Sequence, residues 1–426
     1  MKKSLLRAAL LAFLPLCMVG SVVVTAPAVA ADKEKPKISR SITKQIQAAQ
    51  KASNDKDWAT VIAKCKEAQA VEGISGYDKY IIDRFLGIAY LSMGDHASAT
   101  VAVTEAVMNP EAPAEERAQL LRPALALQNE ASNYNKVLEL GKLAIQDNQA
   151  DDTVYGEMAV AAFNLKDYPT TIDYANKSID LATAAGKEPV YTVYQVLSVA
   201  QDQSKNRAGT IKTLEKMASI YGKPDDWRNL IDFSLAELPP GEKSVAALDI
   251  YRLRLTVGAT SAAPDYMAMV DAAQFVRSPG DVIRALERAV DKGVITSAKA
   301  AASLNKARAD AKRDEPILPQ AEAAAAKHAS AKEGANVAEA YFGYGRYADA
   351  QRVAEIAVKK KGTASVAEAQ IILGMSLVMQ GNDTAGAQAL DAVRGDAALQ
   401  RAAQLWKVYA TRTYGRTPPA AAPAAQ

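Results

Sequence analysis

One phrase returns along most of this chain: an aromatic or turn residue after a polar break, followed by small residues at helical spacing. The fullest copy is Leu86-Gly87-x-x-Tyr90-x-x-x-Gly94-Asp95-x-x-x-Ala99, closing with Ala106. Weaker copies stand at Lys56-Asp57-Trp58, Asn133-Tyr134, Lys166-Asp167-Tyr168, Gly345-Arg346-Tyr347 and Leu373-Gly374 to Gly381-Asn382. Their intervals are close to 34–39 residues, the period of a two-helix repeat. A unit of that size cannot bury its apolar face alone, so it must stack on neighbours and build an extended surface.

The local pattern agrees. Apolar residues recur at i, i+3, i+4 and i+7, as in Ile82, Phe85, Leu86, Ala89 and Tyr90, or Ile172, Ala175, Ile179 and Ala182. Alternation of the strand type is absent. Gly or Asn stops helices and Pro or Asp restarts them at Asn109-Pro110, Asp151-Asp152, Gly186 to Pro189 and Gly222 to Asp225. The expected fold is all-α: an α-solenoid of stacked antiparallel helix pairs with a C-terminal capping helix. Residues 41–223 read as N-terminal repeats, 224–293 as divergent pairs and 294–333 as an Ala-rich hairpin or joint. Residues 334–414 read as further repeats with the capping helix, and eight or nine repeats are expected in all. The cap carries Leu399, Ala402, Ala403, Trp406, Val408 and Tyr409.

The ends are different. Lys2, Lys3 and Arg7 precede an apolar run, and Ala28-Val29-Ala30 suits signal cleavage, so residues 1–30 are expected to be a signal peptide. An uncleaved membrane tether is the alternative. Residues 31–40 read as a flexible leader and 415–426 as a Pro/Ala tail. Of 51 basic and 48 acidic residues, three basic ones lie in the first thirty, which leaves a neutral mature chain. That balance gives no reason to expect nucleic acid or an anionic membrane surface as partner. After cleavage only Cys65 remains, so no internal disulfide is possible, and its place in the helical pattern points to burial.

The recurring phrase resembles the tetratricopeptide repeat. Leu86, Gly87, Tyr90, Gly94, Ala99 and Ala106 match its positions in one repeat, and Tyr155, Asp167 and Tyr168 match another. Tyr341, Gly345, Tyr347, Ala350 and Ala357 match a third, and Leu373, Gly374 and Gly381 a fourth. Departures are Leu125 for Gly, Thr171 and Ser178 for Ala, and a Pro239-Pro240-Gly241 turn. The resemblance implies a groove lined by the first helix of each pair, binding a protein or peptide partner. Carried over, its positions are Arg84, Ile88, Leu91, Arg122, Asn129, Phe163, Asn164 and Gln195. The same reasoning adds Glu368, Met375, Val378 and Met379 near the C-terminus, with burial beneath the last helix as the expected fate of that methionine patch.

No chemistry is signalled. His96 and His328 with one cysteine cannot assemble a three-His or Cys/His metal site. There is no phosphate loop and no nucleophile elbow. Glu115-Glu116 and Asp225-Asp226 complement helix starts, and Lys359 to Lys361 a helix end. Arg252 and Arg254 are expected on the solvent side of their helix. The expectation is a non-enzymatic periplasmic scaffold or adaptor for envelope assembly, without metal or cofactor and without membrane insertion once the signal is removed. An α-superhelical envelope enzyme, such as a peptidoglycan lytic transglycosylase, is the competing reading.

Overall fold

A computed structural model of the protein describes residues 36–238, 244–360 and 363–415. The expected signal peptide, the first half of the leader, the Pro239-Pro240-Gly241 turn, Lys361 and most of the tail lie outside these. The described residues form helices and contain no extended strand. None of those helices is long and apolar enough to cross a membrane.

The chain forms two compact units, Met1–Lys205 and Asn206–Gln426. The first unit contains α1 (Thr43–Asn54), α2 (Trp58–Gln69), α3 (Gly76–Met93), α4 (His96–Met108), α5 (Ala114–Glu130), α6 (Tyr134–Gln146), α7 (Asp152–Asn164), α8 (Tyr168–Ala184) and α9 (Tyr191–Gln203). Successive helices pack as antiparallel pairs, α1 with α2 through α7 with α8.

The recurring phrase turns out to be a turn mechanism. One residue takes the left-handed conformation, the next caps the following helix, and an aromatic or histidine opens it. Lys56, Gly94, Ser132 and Lys166 have φ of 59°, 77°, 59° and 61°. Asp57, Asp95 and Asp167 then accept hydrogen bonds from backbone N–H groups three residues on. The backbone N–H of Asp95 also reaches back to Tyr90 O, and that of Asp167 to Ala162 O. These bonds satisfy carbonyls that a helix end leaves orphaned. Small residues then let each pair close. A Cβ on Gly87 would come within 2.6 Å of Val103 Cγ2, and one on Gly374 within 2.5 Å of Leu390 Cγ. The departures Thr171 and Ser178 are buried and satisfied, donating to Asp167 O and Asp152 O at 2.8 and 2.7 Å.

At the N-terminus, Ile38 packs against the core and the Ser39 N–H donates to buried Asp78 at 2.8 Å. Burial pushes the Asp78 carboxyl up, but hydrogen bonds from Ser39 and Ser75 outweigh it and hold the group below its usual range. The end of the stretch expected as a flexible leader is therefore pinned to α3.

The second unit runs through α10 (Arg207–Tyr221), α11 (Pro224–Leu235), α12 (Val245–Thr256), α13 (Ala263–Val276), α14 (Pro279–Asp291) and α15 (Ser297–Asp314). A 3-10 turn at Glu315–Ile317 leads to α16 (Leu318–Lys327), α17 (Lys332–Gly343), α18 (Tyr347–Ala357), α19 (Thr363–Met379), α20 (Asp383–Asp391) and α21 (Ala397–Ala410). In the Ala-rich stretch α15 packs on α14, α16 packs on α17, and the turn carrying Pro316 lies between them. The last helix covers α19 and α20 as a cap should, and its other side lies on α10 and α12. Trp406 is wholly buried and donates from Nε1 to Asp249 O at 2.9 Å. Arg401 reaches Glu215 and Ser234, and the Thr413 N–H bonds Ser219 O. The second unit is thus a stack whose last helix returns to its first ones.

Candidate functional site

In the first unit opening helices of successive pairs lie against one another, α1 on α3, α5 on α7 and α7 on α9. The opening helices therefore line the inner face. Polar ties run along it from repeat to repeat. Glu116 of α5 accepts from Tyr80 Oη at 2.8 Å and from Arg84 Nη1 at 2.6 Å, both on α3. Arg122 of α5 pairs with Asp151, the cap of α7, and Asn129 donates to Glu157 of α7. Burial raises the Glu157 carboxyl above its ordinary range, and the Asn129 amide opposes this. Burial likewise pushes the Tyr80 phenol up.

Three of the polar groove residues expected from the sequence are thus partnered inside the molecule. Arg84 is largely buried and fixes Glu116. Asn129 ties two repeats together. Arg122 pairs at the surface and keeps 60% of its side chain exposed. Asn164 is exposed and donates to Val160 O of its own helix at 2.8 Å. Phe163 is half-buried, its ring 6.4 Å from that of Tyr168, and Gln195 is exposed on α9. Ile88 is half-buried. Leu91 does not face the groove: at 8% exposure it belongs to the core, because its turn of α3 is covered on that side. Of the expected groove positions, Arg122, Asn164 and Gln195 are exposed and Ile88 and Phe163 are half-buried.

The other sequence candidates have local roles. Glu115 and Glu116 do open α5, but Glu116 also serves the tie above. His96 Nδ1 lies 3.1 Å from Glu130 Oε2, and His328 follows the end of α16 in an exposed position. Lys360 does not serve its own helix end; its ammonium donates to Ala325 O at the end of α16. Met375 and Val378 are buried, and α21 packs on their helix. Cys65 is wholly buried, and burial with the nearby Asp83 carboxylate pushes its thiol up to about 12. Among the described residues no group of three His, Cys, Asp or Glu side chains is placed to hold a metal ion.

Arg252 and Arg254 overturn the expectation of a solvent face, being 2% and 6% exposed. Arg254 holds Asp232 at 2.9 Å and Asp265 at 3.0 Å. Arg252 is the centre of a buried charge cluster. Its helix, Val-Ala-Ala-Leu-Asp-Ile-Tyr-Arg-Leu-Arg-Leu-Thr, is covered on all sides. The available sequence signal was the Asp249–Arg252 pair at i, i+3 within an otherwise apolar run.

No family model matches the chain, and no curated protein does. Solved structures do. The apo form of RapI aligns with 64% of this chain and 99% of its own, at 12% identity and a TM-score of 0.32. A tetratricopeptide repeat protein from Parabacteroides merdae aligns over 77% and 98%, at 12% identity and a TM-score of 0.27. Yeast Tom70 aligns over 87% and 95%, at 9% identity and a TM-score of 0.24. The helix pairs of this chain are tetratricopeptide-like in period, turn chemistry and close packing.

Proposed function

We propose that this chain is a non-enzymatic adaptor that holds a protein or peptide partner on the inner face of its first unit, in the periplasm, in support of envelope assembly. The observation that carries the binding reading is the repeat-to-repeat polar lacing of that face. Tyr80, Arg84, Asn129, Glu116 and Glu157 are spent on holding the opening helices in register. A surface fixed in this way loses little freedom on binding. Exposed Arg122, Asn164 and Gln195 offer a guanidinium and carboxamides to a peptide backbone or carboxylate. The signal-like first thirty residues motivate the location.

Cross-linking in cells, with a photoreactive residue at Asn164, followed by mass spectrometry, tests the reading. Arg122→Glu combined with Gln195→Glu should abolish the cross-linked species while helicity stays unchanged. Persistence of the same species in the double variant would remove this face from consideration. Arg84 is unsuitable for that test, because its loss strands Glu116. N-terminal sequencing of the mature protein should find a start near Ala31; a chain beginning at Met1 would sink the periplasmic assignment.

A further inference from the structure

All five N–H donors of the Arg252 guanidinium are taken by carboxylates from three helices. Nε and Nη2 donate to Asp281 Oδ2 of α14 at 3.1 and 2.5 Å. Nη1 donates to Asp249 Oδ1 of α12 at 2.7 Å and to Glu339 Oε2 of α17 at 3.2 Å, and Nη2 also reaches Glu339 Oε1. The Phe342 ring covers the cation, 4.8 Å from ring centroid to guanidinium carbon. A second cation, Arg284, stands 3.3 Å from Asp281 Oδ1 and spends its other donors on Phe342 O and Gly343 O. Asp249 and Asp281 are wholly buried, and Glu339 is nearly so. Three carboxylates thus meet two guanidiniums, of which only Arg252 is fully buried. An uncompensated charge at such depth costs several kcal/mol, so one carboxyl must be neutral. Asp249 is that one: Asp249 Oδ2 and Asp281 Oδ1 both lack a hydrogen bond, but Arg284 stands 3.3 Å from the Asp281 oxygen and no second cation reaches the Asp249 one.

The remaining charges around α12 are committed elsewhere. From α11 and α13, Asp232 and Asp265 sit on Arg254. From α21, Arg401 sits on Glu215. Beyond Glu339 stand Glu368 of α19, Asp396 and Lys332; burial, then Glu339 and Asp396, push the Glu368 carboxyl up.

We propose that this cluster is a proton-dependent latch within the second unit: with Asp249 neutral, Arg252 clamps Asp281 and Glu339 and holds α17 against α12 and α14. When Asp249 releases its proton to solvent, the cluster carries excess negative charge. Glu339, the least buried of the three, is then expelled, and α17 loosens. The directions of titration agree. Burial, then Glu339 and Asp281, raise Asp249 well above its ordinary value despite Arg252. Burial also opposes ionisation of Asp281, but Arg252, Arg284 and Ser278 hold it below its ordinary range. A raised acid stabilises the fold below its unfolded value, and that contribution is lost as pH rises through the folded value. The latch is therefore closed on the acid side and opens with rising pH. Asp281 adds an opposite loss only at the low-pH extreme.

Hydrogen–deuterium exchange on the full chain, from about pH 5 to about pH 9 and corrected for the intrinsic exchange rate, tests this directly. Opening of α17 should rise with pH by up to about tenfold per unit, the limit for one proton, while α1–α4 stay flat. Asp249→Asn should abolish the slope, and a protonated-carboxyl infrared band present in the wild type at neutral pH should vanish in it. Glu339→Gln leaves two carboxylates against two guanidiniums and removes the group that is expelled, so it too should flatten the slope. A flat wild-type profile, or a Glu339→Gln variant that keeps the wild-type slope, would overturn the latch.

Discussion

Lys166 holds a left-handed backbone at φ 61° in the same turn where the pair two repeats earlier places Gly94 at φ 77°. The conformation is set by the helix-to-helix turn, and only glycine adopts it without a Cβ clash. Lys166→Gly should therefore stabilise the first unit by about 0.5–1 kcal/mol, and Gly94→Ala should destabilise it by about 1 kcal/mol or more. Urea unfolding followed by circular dichroism will read both signs. Cys65 is a second residue-scale case. With its thiol pushed up to about 12, it should resist alkylation at neutral pH until the unit unfolds; labelling at the rate of a free thiol in the native protein would contradict its placement. Asp83 offers the pH counterpart. Burial, helped by Glu105, raises it to about 6. Its proton stabilises the fold below the unfolded value near 3.8, and that contribution disappears as pH rises through about 6. Asp83→Asn should flatten that part of the stability profile of the first unit, measured as urea midpoints across the range.

At the scale of the element, α21 shows how much a terminal helix carries. Its Trp406, Arg401 and the following Thr413 engage Asp249, Glu215, Ser234 and Ser219, partners more than 150 positions earlier in the chain. Trp227 adds a hydrogen bond from Nε1 to Tyr414 Oη at 3.0 Å and an edge contact with Tyr409. Trp406→Ala should cost about 3–5 kcal/mol, the price of emptying a fully buried aromatic site, and should act on the second unit alone. A scanning-calorimetry trace in which both units shift together would contradict that confinement. The amphipathic stripe of α21 was plain in the sequence, because periodicity reports that a face is buried. Which helices cover it was not, because periodicity carries no information about a partner over 150 residues away. The same limit explains Arg252 and Arg254: long cationic side chains in an apolar run usually mark solvent, and only the arrival of Asp281 and Glu339 from other helices makes burial affordable.

For the whole molecule, near-neutrality conceals a division. Between residues 36 and 205 there are 17 basic and 22 acidic residues, and from 206 to 426 there are 29 and 24. An acidic first unit favours a partner with basic residues, approached under long-range attraction. Capture by the full chain should then weaken as salt rises from about 0.05 to about 0.5 M, where screening shortens to a few ångströms; salt-independent capture, measured by pull-down across that range, would point to an apolar contact instead.

The sequence by itself determined the class of fold, the length of the repeat and the chemistry of its turns. All three rest on interactions between residues close in the chain: caps, left-handed turn residues and i, i+4 packing. It also pointed to Arg122, Asn164 and Gln195, which the structure leaves exposed. The tertiary structure alone decided that Arg84 and Asn129 are spent on lacing repeats together, that Leu91 is core, and that Arg252 is a buried clamp. Each of these depends on which distant helix comes to lie alongside, and charge and burial acquire their meaning only when that neighbour is in place.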